Sequence, residues 1–324
     1  MTAGEGLAAR APYRFCREIE QASGHGIMAV QYMAAALDLK PLLDDWVEPG
    51  RLEDFRRACR RYGLKVLPDV RFLNVRLEDV PRDVVGRDRL TSTVAYAAPL
   101  GGREGQIHVY VSRHARLLRH GMWYPLIVKG RVIHTPYTDT LRYGELLGYP
   151  DCCVRFFARK NNWSRYSYLY EAFKNTQGHA HRLCNPFLKD TCYSYIYHMP
   201  CSYRCRATIS AAGGLRARLN RLEPALVKEI DAAASGPFLV LYERDFLGFD
   251  GRLRGDELEY NDVFRLQPWS GPDPLLEALR RGSRVRLKGR RLEIGRGAVT
   301  LRRLRLPLED WAPRFPFIIE FGRG

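Results

Sequence analysis

Leu147-Gly-Tyr-Pro-Asp-Cys-Cys-Val154 ends one helix and begins another within a single short stretch. Gly148 tolerates a left-handed backbone and Pro150 cannot continue a helix, so together they stop a helix that Asp139 or Thr140 can cap and that runs to Leu147. Asp151 can then cap a second helix through Lys160. That places Cys152 and Cys153 in its first turn and turns Val154, Phe156 and Phe157 toward a core. Later in the chain, His198-Met-Pro-Cys-Ser-Tyr-Arg-Cys205 repeats the device. Pro200 breaks the preceding segment, and a helical pattern runs from about Ser202 to Ala234, with Gly213-Gly214 as its expected interruption. Two cysteine pairs at helix starts thus define a central segment, 136–235, built around a metal centre.

Working outward, Tyr166 to Phe173 reads as a helix. Asp190 to Tyr197 alternates like a strand, with Cys192, Ser194, Ile196 and His198 on one face and Tyr193, Tyr195 and Tyr197 on the other. Residues 1–135 mix helices (Ile27 to Leu37; Arg51 to Tyr62, ended by Gly63) with strands (Lys65 to Val70, Thr93 to Ala97, Gln106 to Ser112, Tyr124 to His134). Residues 236–324 carry short strands at Phe238 to Tyr242, Glu257 to Val263, Arg284 to Leu287, Arg291 to Ile294, Val299 to Leu304 and Phe315 to Phe321. One helix, Pro274 to Arg281, interrupts them. The expected fold class is α+β: an N-terminal mixed α/β region, a central helical metal-binding segment and a small C-terminal β-rich domain.

Cys201 and Cys205 are four residues apart, which on a helix puts both sulfurs on one face. Helix-start N–H groups and the positive dipole end favour thiolate there, as they do at Cys152 and Cys153. The expected ligand set is therefore Cys152, Cys153, Cys201 and Cys205. A [4Fe-4S] iron–sulfur cluster is the preferred cofactor, because a broad polynuclear centre accommodates adjacent ligands. Zinc is the alternative, held by Cys201, Cys205, His198 and one of the adjacent pair. A vicinal Cys152–Cys153 disulfide is the third reading. The radical-SAM spacing needs a cysteine where Thr208 stands. His198 and Cys153 are the candidate catalytic residues, as acid/base and as nucleophile or sulfur carrier, while Arg204 and Arg206 are candidates for holding an anionic substrate. Cys184 and Cys192, with His179 and His181, are read as supporting residues rather than a second site.

The combined pattern Gly148-Tyr-Pro-x-Cys-Cys-x-x-x-Phe157 and His198-x-Pro-Cys-Ser-x-x-Cys205 resembles an uncharacterised prokaryotic family with a GYPxCC and HxPCSxxC signature. The resemblance covers about Leu141 to Ala212. It implies a single shared site and names no reaction.

The chain of 324 residues is 46% hydrophobic and 27% charged, as in globular proteins, and its apolar stretches are too short to span a bilayer. Met1 to Ala11 lacks the pattern of a secretory signal, so a cytoplasmic location without membrane contact is expected. In that reducing setting eight cysteines favour metal binding over disulfides. The net charge of +16 points to an anionic partner, a small molecule or RNA, beside a donor protein for electrons or sulfur. Arginine makes up 44 of the 52 basic residues and binds phosphate bidentately. The densest basic run, Arg280 to Arg305, contains Glu293 as its one acid, and Arg284, Arg286 and Lys288 alternate with Val285 and Leu287 to form a cationic strand face. No phosphate-binding Gly-Lys-Ser/Thr loop, serine elbow or His-Glu-x-x-His motif is present. The preferred function is an iron–sulfur enzyme acting on an anionic substrate by redox, sulfur-transfer or Lewis-acid chemistry. The alternative is a zinc-stabilised nucleic-acid-binding protein without catalysis.

Overall fold

The computed structural model describes residues 18–19, 21–23, 28–75, 94–98, 100–119, 126–128, 131–133, 140–159, 165–189, 191, 193–242, 245–265, 273–306 and 316–322. Cys16, Asp139, Lys160, Trp163 and Cys192 lie outside the described residues. In chain order the elements begin with α1 (Ala29–Ala36), β1 (Leu43–Val47), α2 (Leu52–Arg61), β2 (Lys65–Val75), β3 (Val94–Ala98), β4 (Gln106–Ser112), α3 (Ala115–Leu118), β5 (Leu126–Val128) and β6 (Arg131–Ile133). Next come α4 (Thr140–Leu146), α5 (Asp151–Arg159), α6 (Arg165–Lys174), β7 (Ala180–His181), α7 (Arg206–Leu222) and α8 (Pro224–Ala234). The chain continues through β8 (Gly236–Tyr242), β9 (Asp245–Arg254), β10 (Glu257–Phe264), α9 (Pro274–Arg280), β11 (Arg284–Lys288), β12 (Arg291–Arg296), β13 (Val299–Arg305) and β14 (Phe317–Gly322).

Two sheets organise these elements. The first runs β1-β4-β2-β3-β5-β6 and the second β13-β12-β11-β10-β9-β8-β14-β7. Pairing is antiparallel except for β3 with β5 and β14 with β7. The fold is thus α+β with a β-rich C-terminal region.

Three main cores account for the arrangement. Alternation on β4 sends Ile107, Val109 and Val111 into the first, where they meet α1, Phe55 of α2, Leu215 and Leu219 of α7, and Val227 and Ile230 of α8. The second packs α5, α6 and the 180–205 segment against Phe238, Val240, Phe246, Phe317, Ile319 and Phe321 of the C-terminal sheet. The third covers the opposite face of that sheet with α9. Phe238 and Val240 of β8 serve the second core and Leu239 the third, which is why this strand reads as an unbroken apolar run. Among the described residues no helix is long and apolar enough to cross a membrane.

Four local expectations are corrected. Residues 193–200 form no strand: Ser194, Tyr195 and Ile196 are all buried in succession. Side chains, not a partner strand, hold this segment, with Gln31 Nε2 donating to Ser194 O (3.0 Å) and Tyr195 OH to Asp231 (3.0 Å). Cys201 to Cys205 is a turn, and α7 starts at Arg206 with Cys205 as its N-cap. Its amides are already engaged: Tyr203 N donates to Thr176 Oγ1 (2.9 Å), Arg204 N to Ser202 Oγ (3.1 Å) and Cys205 N to Ser202 O (3.1 Å). A serine side chain competes here with helix formation.

The third correction concerns Gly213-Gly214, which α7 crosses unbroken. The break falls at Glu223 (φ −149, ψ 78), whose helical conformation is disfavoured by the following Pro224. Fourth, Asp151 is the first residue of α5 rather than its cap, and its carboxylate holds Arg155 Nε at 2.8 and 2.9 Å. Three strands escaped the sequence reading, the two-residue β7 among them. β1 carries two aspartates, and β9 is punctuated by glycines. At Gly251 a Cβ would sit 2.1 Å from Glu259 O, so the residue that suggests a turn is what lets β9 approach β10.

Candidate metal centre

Gly148 adopts φ +71, a left-handed stop, and Pro150 O accepts from the amides of Cys153 and Val154 to start α5. This delivers the two adjacent cysteines to the turn at 201–205 from the opposite side. The turn is fixed at several points. Asn175 Nδ2 donates to Cys201 O (3.0 Å), Tyr203 OH to Leu169 O (2.8 Å), and His181 N to Tyr203 O (2.8 Å). Below it the Tyr203 ring lies 5.4 Å from Phe321 and 6.1 Å from Phe187, and Phe187 in turn lies against Phe238 and Phe246. Each such pair contributes about 0.5–1.5 kcal/mol beyond simple burial. The turn is therefore seated on the C-terminal sheet by aromatic packing.

The sulfurs of Cys152, Cys153, Cys201 and Cys205 all lie within 4.8 Å of one another, the one such set of potential ligands among the described residues. Cys152 is 3.9 Å from Cys153 and 3.5 Å from Cys205, and Cys153 is 3.6 Å from Cys205. No bond joins any of them, and all four are free thiols. Cys153 and Cys205 are buried, Cys201 is half-buried, and Cys152 is exposed. The four can hold a metal ion.

The four sulfurs differ in how readily they ionise. Hydrogen bonds from Cys153 and Cys201, helped by the hydroxyl and amide of Thr208, hold the Cys205 sulfur far below the ordinary thiol range. Cys153 moves the other way, because its bonds to Cys201 and Cys205 and then its burial retain the proton. At Cys201 the bond from Cys153 works downward, but Cys205 and burial outweigh it and lift the group to about 12. Cys152 is raised by burial and by its bond to Cys205. Close packing of the four sulfurs thus favours ionisation at Cys205 and opposes it at the other three. A bound metal cation would favour the thiolate form of all four.

His198 is not one of the four ligands. Its Nε2 lies 2.9 Å from Thr208 Oγ1, which in turn lies 3.3 Å from Cys153 Sγ. The histidine thus reaches the centre through one hydroxyl. Its ring lies 5.2 Å from that of Tyr149, on whose face Lys40 Nζ sits at 4.4 Å. Burial first, and then the Lys40 charge, pull His198 down to about 3, against the pull of Cys205. Cys201 N donates to Cys153 Sγ at 3.4 Å, a further bond that steadies that sulfur.

Of the adjacent pair, Cys152 faces solvent, whereas Cys153, expected as the reactive thiol, is 1% exposed. Arg204 and Arg206 are both exposed, and Arg204 Nη1 is engaged with Gln177 O (2.9 Å). Cys184 is buried, with its thiol directed to Cys205 O at 3.6 Å, and burial lifts it to about 12. His181 Nδ1 accepts from Leu183 N as a turn cap, and His179 is exposed.

Thr208, Asn175 and Lys40 were not singled out from the sequence. Only Thr208 carries a legible signal, since it follows Cys205 by three residues and so lies over the same side of α7. Comparison with known protein families, with curated proteins and with solved structures finds no match for this chain.

Proposed function

We propose that the four cysteines bind one zinc ion and that the chain is a zinc-stabilised nucleic-acid-binding protein, with no catalytic step at the metal. The observation that carries this reading is the mutual spacing of the sulfurs, all within 4.8 Å. A tetrahedral zinc with bonds of about 2.3 Å has sulfur–sulfur edges of about 3.8 Å. The three separations among Cys152, Cys153 and Cys205, at 3.5, 3.6 and 3.9 Å, bracket that edge. A four-iron cube instead spreads its cysteine sulfurs to roughly 6 Å, because a separate iron stands behind each.

Four thiolates also close the coordination sphere, as in structural zinc sites. Such an ion would tie α5 and the 201–205 turn to each other, and through Tyr203 to the C-terminal sheet. Thr208 would orient one sulfur and His198 would orient Thr208. The surplus of 52 basic over 36 acidic residues supports the nucleic-acid half of the reading. A reducing, cytoplasmic setting belongs to it as well, because it keeps closely spaced thiols unoxidised.

One observation favours a second reading. Cys152 is exposed, so an iron–sulfur centre at the same position would meet an anionic substrate from that side, with the exposed Arg204 and Arg206 as its candidate binders. Elemental analysis and visible absorbance of protein purified without oxygen separate the two. The zinc reading expects about one zinc per chain and no colour. Iron with acid-labile sulfide and broad absorbance near roughly 400 nm would overturn it.

A further inference from the structure

The outward face of the C-terminal sheet carries its charges in cross-strand rows. One row runs Arg254, Glu257, Arg286, Glu293, Arg303 across β9 to β13, each opposite the next. Its signs alternate, and it is internally paired: Arg286 to Glu257 at 3.2 Å and Arg303 to Glu293 at 2.7 Å. Arg284, expected as part of a bare cationic face, is likewise paired with Glu257 at 3.0 Å. Beside it a cavity of about 790 Å³ is lined by Arg252, Arg254 and Arg284 but also by Asp250, Glu257 and Glu259, which leaves it balanced in charge. Most of the basic strand face is therefore spent on the protein itself.

The next row differs. Lys288 stands opposite Arg291, and Arg291 opposite Arg305. All three side chains are exposed. Lys288 has Asp256 at 3.8 Å, whereas Arg291 and Arg305 form no ion pair with any described residue. Like charges directly opposite one another destabilise a sheet. Strands lie about 4.8 Å apart, so three cations fall within about 10 Å along a line. The neighbouring row shows that a single glutamate on β12 is enough to relieve such repulsion, yet here arginine occupies that middle position.

We propose that this row is a phosphate-binding track: the backbone of a nucleic-acid strand lies across β11, β12 and β13 and is held by Lys288, Arg291 and Arg305. The proposal rests on the nucleic-acid-binding reading and locates its surface. Phosphates between the side chains turn the repulsion into bridged contacts, with Arg291 and Arg305 offering bidentate geometry. The contacts are to backbone, so affinity depends on salt and little on sequence.

Arg291→Glu separates this role from a merely structural one. A carboxylate between Lys288 and Arg305 completes an alternating row, so the variant should melt no lower than the parent, and higher if the opposed charges are costly. Binding of a labelled single-stranded RNA of mixed sequence, followed by fluorescence anisotropy on the full metal-loaded chain at about 50 mM salt, should weaken at least tenfold. Arg296→Glu makes the same charge change on the opposite side of β12 and should weaken it less than about threefold. Arg291→Gln should fall between the parent and Arg291→Glu. Equal weakening by Arg291→Glu and Arg296→Glu, or unchanged binding by Arg291→Glu, overturns the track while leaving the functional reading in place. A parent protein that binds no RNA at this salt overturns both.

Discussion

Thr208 is the residue on which the surroundings of the metal centre converge. It is fully buried, its hydroxyl lies between His198 Nε2 and Cys153 Sγ, and its hydroxyl and amide both favour ionised Cys205. Thr208→Val keeps the shape but removes both hydrogen bonds and leaves a buried imidazole nitrogen without its partner. The expected cost is about 1–3 kcal/mol of stability, with metal affinity lowered by about 10–100-fold, while Thr208→Ser restores most of both. Urea unfolding and competition with a coloured chelator read the two effects. Among the ligands the gradient should follow burial. Cys205→Ala removes the buried sulfur that lies 3.5 and 3.6 Å from the adjacent cysteines and should abolish metal retention, whereas Cys152→Ala, at the exposed corner, should weaken it least. Metal content after dialysis checks that order.

At the scale of elements, two joints set up the centre. One is the turn at 201–205 and the other is the α4–α5 joint. Gly148 has φ +71, and a Cβ there would come within 2.6 Å of the Pro41 ring. Gly148→Ala should therefore cost about 2 kcal/mol or more, seen as a lower melting temperature. The same joint holds Lys40, which is buried, donates to Leu147 O at 2.8 Å and is lowered by burial to about 7, although Asp44 pulls it upward. An unfolded chain keeps that proton up to about pH 10.4, so between pH 7 and 10 unfolding takes up a proton and the folded state gains as pH rises. Relative to Lys40→Met, the parent should gain on the order of 2 kcal/mol over that window, measured by urea unfolding at the two ends.

The α4–α5 joint was legible in the sequence because glycine and proline encode it locally. The turn at 201–205 was not, since what diverts it from a helix is Thr176 and Ser202 accepting its amides, one of them a tertiary contact. Residues 193–197 alternate as a strand does, yet only the packing reveals that no partner strand is there and that Gln31 and Asp231 take its place. β9 carries glycines that a strand interior disfavours, and only the close approach to Glu259 explains Gly251.

For the whole molecule, the cysteine centre sits in the core that joins the middle of the chain to the C-terminal sheet, and α7, whose N-cap is Cys205, runs on into the core shared with α1 and α2. That these four cysteines come together was legible, because cysteines paired at short spacing announce themselves. Their separation in space was not, and the proposal of a single zinc ion rests on it. Metal binding and folding should be coupled, so a strong chelator lowers the melting temperature of the parent and has little effect on Cys205→Ala. X-ray absorption at the metal edge of the purified protein tests the central claim most directly. A single shell of four sulfurs at about 2.3 Å from zinc, with no second metal in range, is the predicted result; iron with a metal–metal shell and bridging sulfide would contradict it.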